Sequence, residues 1–337
     1  MTNDERQLRA SELIRHSGSL FRMLTNLCLA VFICGSLSCD RADKPSQLTL
    51  YTSIDEPIAR PIIEQFEKET GIDVVIIGDT EANKSVGLAE RLRAERNRPR
   101  CDVWWGNEPF HTINLAREGL FQPYESPSAA DVPAMYRDPQ HRWAGNGLRA
   151  RVIVWAEGKE PRGEFSLAER RFAIARPTAG TTAGYFAALY TIKGQEFGDE
   201  FVRRLGRPTL LGGNGPVAEA VGRGEFDVGW TDNDDAANVL RNGGRLSVGF
   251  AGSGTLMIPT TVALVANRPE NGNARKLVDF LLSRGVENEL IHAQFAGWSI
   301  CGGEGQPAAL QIDYEEVAKQ MPEAVRRATA ILEGREP

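Results

Sequence analysis

A chain of 337 residues with 42% hydrophobic content can bury a proper core and suggests about two domains of ordinary size, which excludes wholesale disorder. Its formal net charge of -6 argues against a nucleic-acid or anionic-membrane surface and leaves small solutes open as partners.

The N-terminal segment has a basic lead with Arg15 and Arg22, then the apolar stretch "MLTNLCLAVFICGSL". That stretch has the length of a signal h-region and falls short of the ~20 residues a spanning helix needs. It ends at "SLSC", which resembles the lipobox of bacterial lipoproteins, although Ser36 stands where that pattern prefers Leu. The resemblance implies a lipoprotein-type signal peptide over residues 1–38 and makes Cys39 the acylated first residue of the mature chain. An ordinary cleaved signal is the alternative. Asp40 resembles the retention signal of inner-membrane lipoproteins, and the long lead before Met23 makes Met23 a second candidate start. Cys28 and Cys34 leave with the signal, so Cys101 and Cys301 remain in an oxidising compartment, as a disulfide or as two separate buried thiols. Residues 39–46 are polar, contain a Pro and suit a tether.

Beyond the tether the pattern alternates. "LTLYTS" reads as a strand, and "EPIARPIIEQFEKETG" as a helix with Ile58, Ile62, Ile63 and Phe66 on one face and a Gly71 stop. "IDVVIIGDT" is a strand whose near-continuous apolar run predicts cover on both faces. The helix "SVGLAERLRAERNRP", the strand "DVWWGN" and the helix "EPFHTINLAREGLF" follow, with one of Trp104 and Trp105 expected to face in and the other out. "WAGNGLRARVIVWAEG" reads as a long strand leaving one domain for another. A second series then runs through "RRFAIARP", "TTAGYFAALYTIKG", "PTLLGG", "PVAEAVGRG" and "EFDVGWTD". "GTLMIPTTVALVAN" is a return crossing, and "ARKLVDFLLSRG" and "VENELIHAQFAG" are helices. The fold class is α/β. The domain reading is 47–148 for the first part of lobe 1, 149–252 for lobe 2, 253–300 for the return to lobe 1, and 301–337 for a C-terminal helical segment.

Four segments in order, "LTLYTSIDEPIARPIIEQFEKETGIDV", "CDVWWGNEP", "GRGEFDVGWTDND" and "ARKLVDFLLSRGVENEL", resemble bacterial extracellular solute-binding proteins of the ferric-iron-binding type. The resemblance implies a two-lobed α/β clamshell of the type II periplasmic-binding kind, with two crossing strands as its hinge. It also implies delivery of one solute to an ABC permease and its ATPase. Sheet physics places a site in the same region, because ligands of open α/β sheets bind beyond the carboxyl ends of strands. The polar runs "SIDE", "DTEANKS", "GNE", "PTAGTT" and "TDNDD" fall at those ends.

Each run has a capping reading beside a binding one. Ser53 and Asp55 precede a helix, and the resemblance sets Asp55 where iron-binding relatives carry histidine. Thr80, Glu81 and Asn83 end the second strand, and Asn107 and Glu108 end the third, where relatives carry a glutamate. Arg149 and Arg151 share one face by strand alternation, and the resemblance puts such arginines near a bound anion. Thr178, Gly180, Thr181 and Thr182 open a helix, a place that receives anions readily; the resemblance makes this the loop for a synergistic anion, and Asn214 joins that set. Asp234 and Asp235 occupy the slots of a pair of iron-ligating tyrosines. Three acids within four residues exceed what a cap requires. No histidine or cysteine spacing suits zinc.

The expected metal ligands are therefore Asp55, Glu108, Asp234 and Asp235. The ligand or anion set is Ser53, Thr80, Glu81, Asn107, Arg149, Arg151, Thr178, Gly180, Thr181, Thr182 and Asn214. The expected function is that of a periplasm-facing monomeric lipoprotein held to the inner membrane by its lipid alone. It carries Fe(III), with or without a synergistic anion, to an ABC importer, uses no catalytic cofactor and binds no nucleic acid. An organic anion or a sugar phosphate is the alternative solute. A carboxylate-dependent hydrolase is the alternative from another class.

Overall fold

The computed structural model describes residues 47–79, 86–162, 170–178, 180–251, 254–269 and 272–337. The expected signal, the tether, Cys39, Thr80, Glu81 and Asn83 lie outside them. β1 (Leu48–Thr52) leads into α1 (Glu56–Thr70), which starts with Asp55 at the N-cap and ends at Gly71, in the left-handed region at φ 69°. Ala59, Ile62, Ile63 and Phe66 recur at helical spacing and form its buried face. β2 (Val74–Gly78) and β3 (Val103–Gly106) lie parallel to β1 on either side, each followed by a helix, α2 (Val86–Ala94) and α3 (Pro109–Arg117).

β4 (Ala144–Trp155) opens the next series. It continues through β5 (Phe172–Ala175), α4 (Gly180–Lys193), α5 (Gln195–Arg204), β6 (Thr209–Leu211), α6 (Asn214–Gly222), β7 (Val228–Asp232), α7 (Asn233–Arg241) and β8 (Ser247–Gly249). β9 (Met257–Leu264), α8 (Gly272–Leu281), α9 (Arg284–His292) and α10 (Tyr314–Leu332) complete the chain. The sheet runs β2-β1-β3-β9-β4-β7-β5-β6, with β8 added to β4. Two parallel groups, β2-β1-β3 and β7-β5-β6, are thus joined through antiparallel β9 and β4. β4 changes partner midway: Ala144–Ala150 pairs with β9, and Arg151–Trp155 with β7. A bulge between Asn146 and Leu148 interrupts the first pairing. Gly147 sits in it at φ 64°, where a Cβ would lie 3.1 Å from that of Ala296, and its N–H donates to the buried Glu287 carboxylate at 3.2 Å.

Three expectations need correction. β2 is the outer strand, and Val75 is 39% exposed rather than covered. A Val and Ile run marks strand propensity as much as burial, so it does not tell an edge from a centre. Trp104 and Trp105 are both fully buried, since α3 and α8 both pack on β3. Of the two readings of Cys101 and Cys301 the separate thiols hold, but only Cys101 is buried, with its thiol on the Val103 carbonyl; Cys301 is exposed, with its thiol on that of Asp131. Two elements, α5 and β8, lie outside the expected series. α10 packs against α3, α4 and α5 at once, and its Tyr314 hydroxyl donates to the Met257 carbonyl of β9 at 2.7 Å.

Candidate functional site

β7 ends on Asp232 and α7 begins at the next residue, so a strand end and a helix start put three acids side by side. Asp232, Asp234 and Asp235 each bring a carboxylate oxygen within 4.8 Å of the others. Asp232 holds the N-cap position but makes no capping hydrogen bond; it is turned to other work. Only 1% exposed, it accepts from Arg151 Nη1 at 2.8 Å, Thr181 Oγ1 at 2.7 Å and Asn214 Nδ2 at 3.0 Å. Arg149 Nη1 lies 2.8 Å from Asp234 and 3.5 Å from Asp232. Burial works to lower the Arg149 pKa, but the carboxylates of Asp234, Asp232 and Asp235 outweigh it and the net shift is upward.

Arg149 reaches the other way too. Its Nη2 donates to the Asn107 carbonyl at 2.5 Å, beyond the end of β3. Asn107 is in turn tied to Ser53, which donates to its side-chain oxygen at 3.0 Å and accepts its N–H at 2.9 Å. One polar chain therefore runs from the ends of β1 and β3, through Arg149, to the end of β7 and the starts of α4 and α6. The guanidinium also lies 5.1 Å from the centre of the Phe295 ring.

In front of this chain is a cleft of about 470 Å³. Ser53, Asp55 and Asp79 wall one side, from the ends of β1 and β2. Asp234, Asp235, Asn238 and Arg241 of α7 wall the other, with Phe295. Asp55 occupies the N-cap position of α1 without a capping hydrogen bond from its side chain. Asp234 and Asp235 are half-buried.

Of the expected metal set, Asp55, Asp234 and Asp235 share this cleft and Glu108 does not. Glu108 is 2% exposed, and both its oxygens accept α3 amides, from Phe110 at 2.7 Å and His111 at 3.0 Å. It is a cap, for which an acid at a helix N-terminus is favoured twice, by hydrogen bonding and by the dipole. Arg149, Arg151, Thr181, Thr182 and Asn214 come together behind the cleft. The anions that Arg149 and Arg151 hold there are Asp234 and Asp232. Thr178 and Gly180 precede and open α4 and do not wall the cleft. Asp232, Asp79, Asn238, Arg241 and Phe295 are additions to the expected set. Asn238 was legible, since it lies four and three residues beyond Asp234 and Asp235 on one helix face; Phe295 carried no local signal.

A model of the family described as bacterial extracellular solute-binding protein matches residues 48–291. Iron uptake protein A1 of Synechocystis sp. is 27% identical over 274 residues, covering 72% of this chain and 73% of that protein. Among solved structures, iron-bound HitA from Pseudomonas aeruginosa aligns with a TM-score of 0.73 at 22% identity, over 84% of this chain and 99% of its own. AfuA from Actinobacillus pleuropneumoniae, solved with fructose-6-phosphate, aligns with a TM-score of 0.75 at 17% identity, over 86% and 99%. The fold is thus the α/β architecture of periplasmic binding proteins. Matched from the first residue of β1 into α9, the chain belongs to the bacterial extracellular solute-binding proteins.

Proposed function

We propose that this chain is the solute receptor of an ABC importer, periplasm-facing and monomeric, with a lipid on Cys39, and that its cleft takes ferric iron, alone or with a small anion. The observation that carries this reading is the convergence of Asp55, Asp234 and Asp235 on one cleft, with Asp232 behind them. Hard anionic oxygens suit Fe(III), the Synechocystis relative is named for iron uptake, and HitA was solved with iron bound. The matching family is one of solute-binding transport proteins rather than of enzymes.

The test is elemental analysis and native mass spectrometry of protein purified without chelator. Iron is the expected metal. Among the described residues no tyrosine walls the cleft, so the iron complex should lack the red of phenolate ligation, and the Asp234→Asn/Asp235→Asn protein should lose most of its metal affinity while keeping its fold. A red complex, or unchanged affinity in the double variant, would reject these ligands. The second reading, an organic anion or sugar phosphate, has AfuA in its favour. It takes over if no metal is bound and the chain binds a sugar phosphate instead.

A further inference from the structure

The ten residues from Arg91 to Arg100 carry five arginines and one glutamate, in a chain whose net charge is -6. They close α2 and lead into β3. Cations suit the carbonyl pole of a helix, and the two arginines of the last turn are also matched by acids. Arg91 Nε meets Glu95 at 3.0 Å, and Arg93 Nη2 meets Glu118 at 2.7 Å. Arg96, Arg98 and Arg100 follow after the helix has ended, and all three are exposed. Arg96 donates to the Glu118 carbonyl at 3.0 Å, while Arg98 and Arg100 form no ion pair among the described residues. Arg268, just past β9, joins this group, with Nη1 on the Pro99 carbonyl at 3.0 Å and Nε on the buried Asp102 at 2.6 Å. Arg275 lines the same hollow as Arg268 and Asp102. It lies 5.5 Å from the centre of the Tyr124 ring, and both it and Lys276 are exposed. They stand in the opening turns of α8, which begins without an acid, although the N-terminal pole of a helix favours anions. Helix energetics therefore gives no reason for cations there.

This basic face lies where the described chain begins. The Asp102 N–H donates to the Thr49 carbonyl at 2.8 Å, and Arg100 and Gln47 each stand two residues before that bond. Residues 39–46 span at most about 29 Å when fully extended, so a lipid on Cys39 holds this end of the molecule within that distance of a membrane. The cleft begins past the opposite end of β1, at Ser53. The exposed acids at the same end as the arginines, Glu69 and Asp73, precede β2 at the margin of the sheet, whereas the arginines gather on the β3 and β9 side. A negative total charge thus coexists with a positive face beside the root of the tether.

We propose that Arg96, Arg98, Arg100, Arg275 and Lys276 form a contact face for anionic phospholipid headgroups, a second attachment beside the lipid on Cys39, on which reading it rests. A guanidinium fork matches phosphate oxygens, and a lipid chain joined to a basic patch anchors more firmly than the chain alone. Two attachments also fix how the molecule stands on the membrane, where a tether by itself lets it swing.

The test places the mature chain, purified from membranes with its lipid, in phosphatidylcholine vesicles with or without phosphatidylglycerol, and reads amide hydrogen exchange. The stretch 95–100 and the opening turn of α8 should be protected only where phosphatidylglycerol is present, and the protection should fade as salt rises. Arg98→Gln/Arg100→Gln should lose it while melting as the parent does. Equal exchange in both vesicles overturns the proposal, as does protection that survives high salt or the double variant. If that variant fails to fold, the salt series on the parent decides. Inorganic phosphate added to the phosphatidylcholine vesicles should protect nothing; protection there would assign the face to a free anion and sink the membrane contact. Mass spectrometry of the same protein reads Cys39 separately. Without an acyl mass the anchor falls, and flotation of the unacylated chain then decides the face. Binding to phosphatidylglycerol vesicles that the double variant weakens about tenfold or more supports it, and no binding overturns it.

Discussion

Arg149 and Arg151 show how one residue type serves opposite ends. An arginine near a solute site suggests an anion subsite, but here each guanidinium is met by a carboxylate of the chain itself, at 2.8 Å in both cases. Arg149 stands in as the cation of the acidic cluster. Arg149→Gln should therefore lower stability by about 3 kcal/mol, the cost of leaving a buried charge unpaired, and should tighten iron binding, since Asp234 is no longer shared. Thermal melts and chelator competition read the two effects. Weaker iron binding would instead assign Arg149 to an anion that accompanies the metal. Glu108 makes the complementary case. With both oxygens on α3 amides, Glu108→Gln should cost on the order of 1 kcal/mol as a weakened cap and leave the iron Kd unchanged in the same competition; a loss of affinity would return Glu108 to the ligand set.

Among the helices, α10 bridges the two β/α series. It touches α3 on one side of the sheet's midline and α4 and α5 on the other, and Arg327 clamps it to α5 by a two-pronged pair with Asp199, one prong at 3.0 Å. Tyr190 of α4 adds a third bond to the same carboxylate at 2.9 Å. Burial works to raise the Asp199 pKa, but the bonds from Arg327 and Tyr190 outweigh it and hold it below the ordinary carboxylate range. A depressed folded pKa contributes stability in full above the unfolded value of about 3.9 and loses it as pH falls through the folded one. The parent should thus lose stability below about pH 4 more steeply than Asp199→Asn does, and at pH 7 the variant should be less stable by about 3 kcal/mol. Denaturant melts across pH check both; parallel curves would show that the clamp contributes nothing.

At the scale of the whole molecule, the partner switch of β4 at Ala150 and Arg151 is the natural pivot for closure on a solute. Small-angle scattering should give a smaller radius of gyration on iron saturation, and no change for Asp234→Asn/Asp235→Asn; equal radii for parent and variant would mean that the cleft binds without closing. Much of this architecture was legible beforehand. Apolar periods of two and of three to four residues, with Gly and Pro stops, set out both β/α series and the long strand over Trp143 to Trp155, because those signals are local and repeat within one element. The acids at the end of β7 were legible as a cluster for the same reason, since Asp232, Asp234 and Asp235 are neighbours in sequence. Tertiary structure alone decided what each polar residue is spent on. Glu108 and Asp55 look alike in sequence, an acid before a helix start, yet one caps its helix and the other faces the cleft. Asp232 became the hub only because β4, α4 and α6 converge on it from 81, 51 and 18 residues away. Hydrogen-bond partners brought together by folding across such separations leave no periodic trace in the chain, whereas the alternation of apolar and polar residues that builds each strand and helix is written within a few residues of itself.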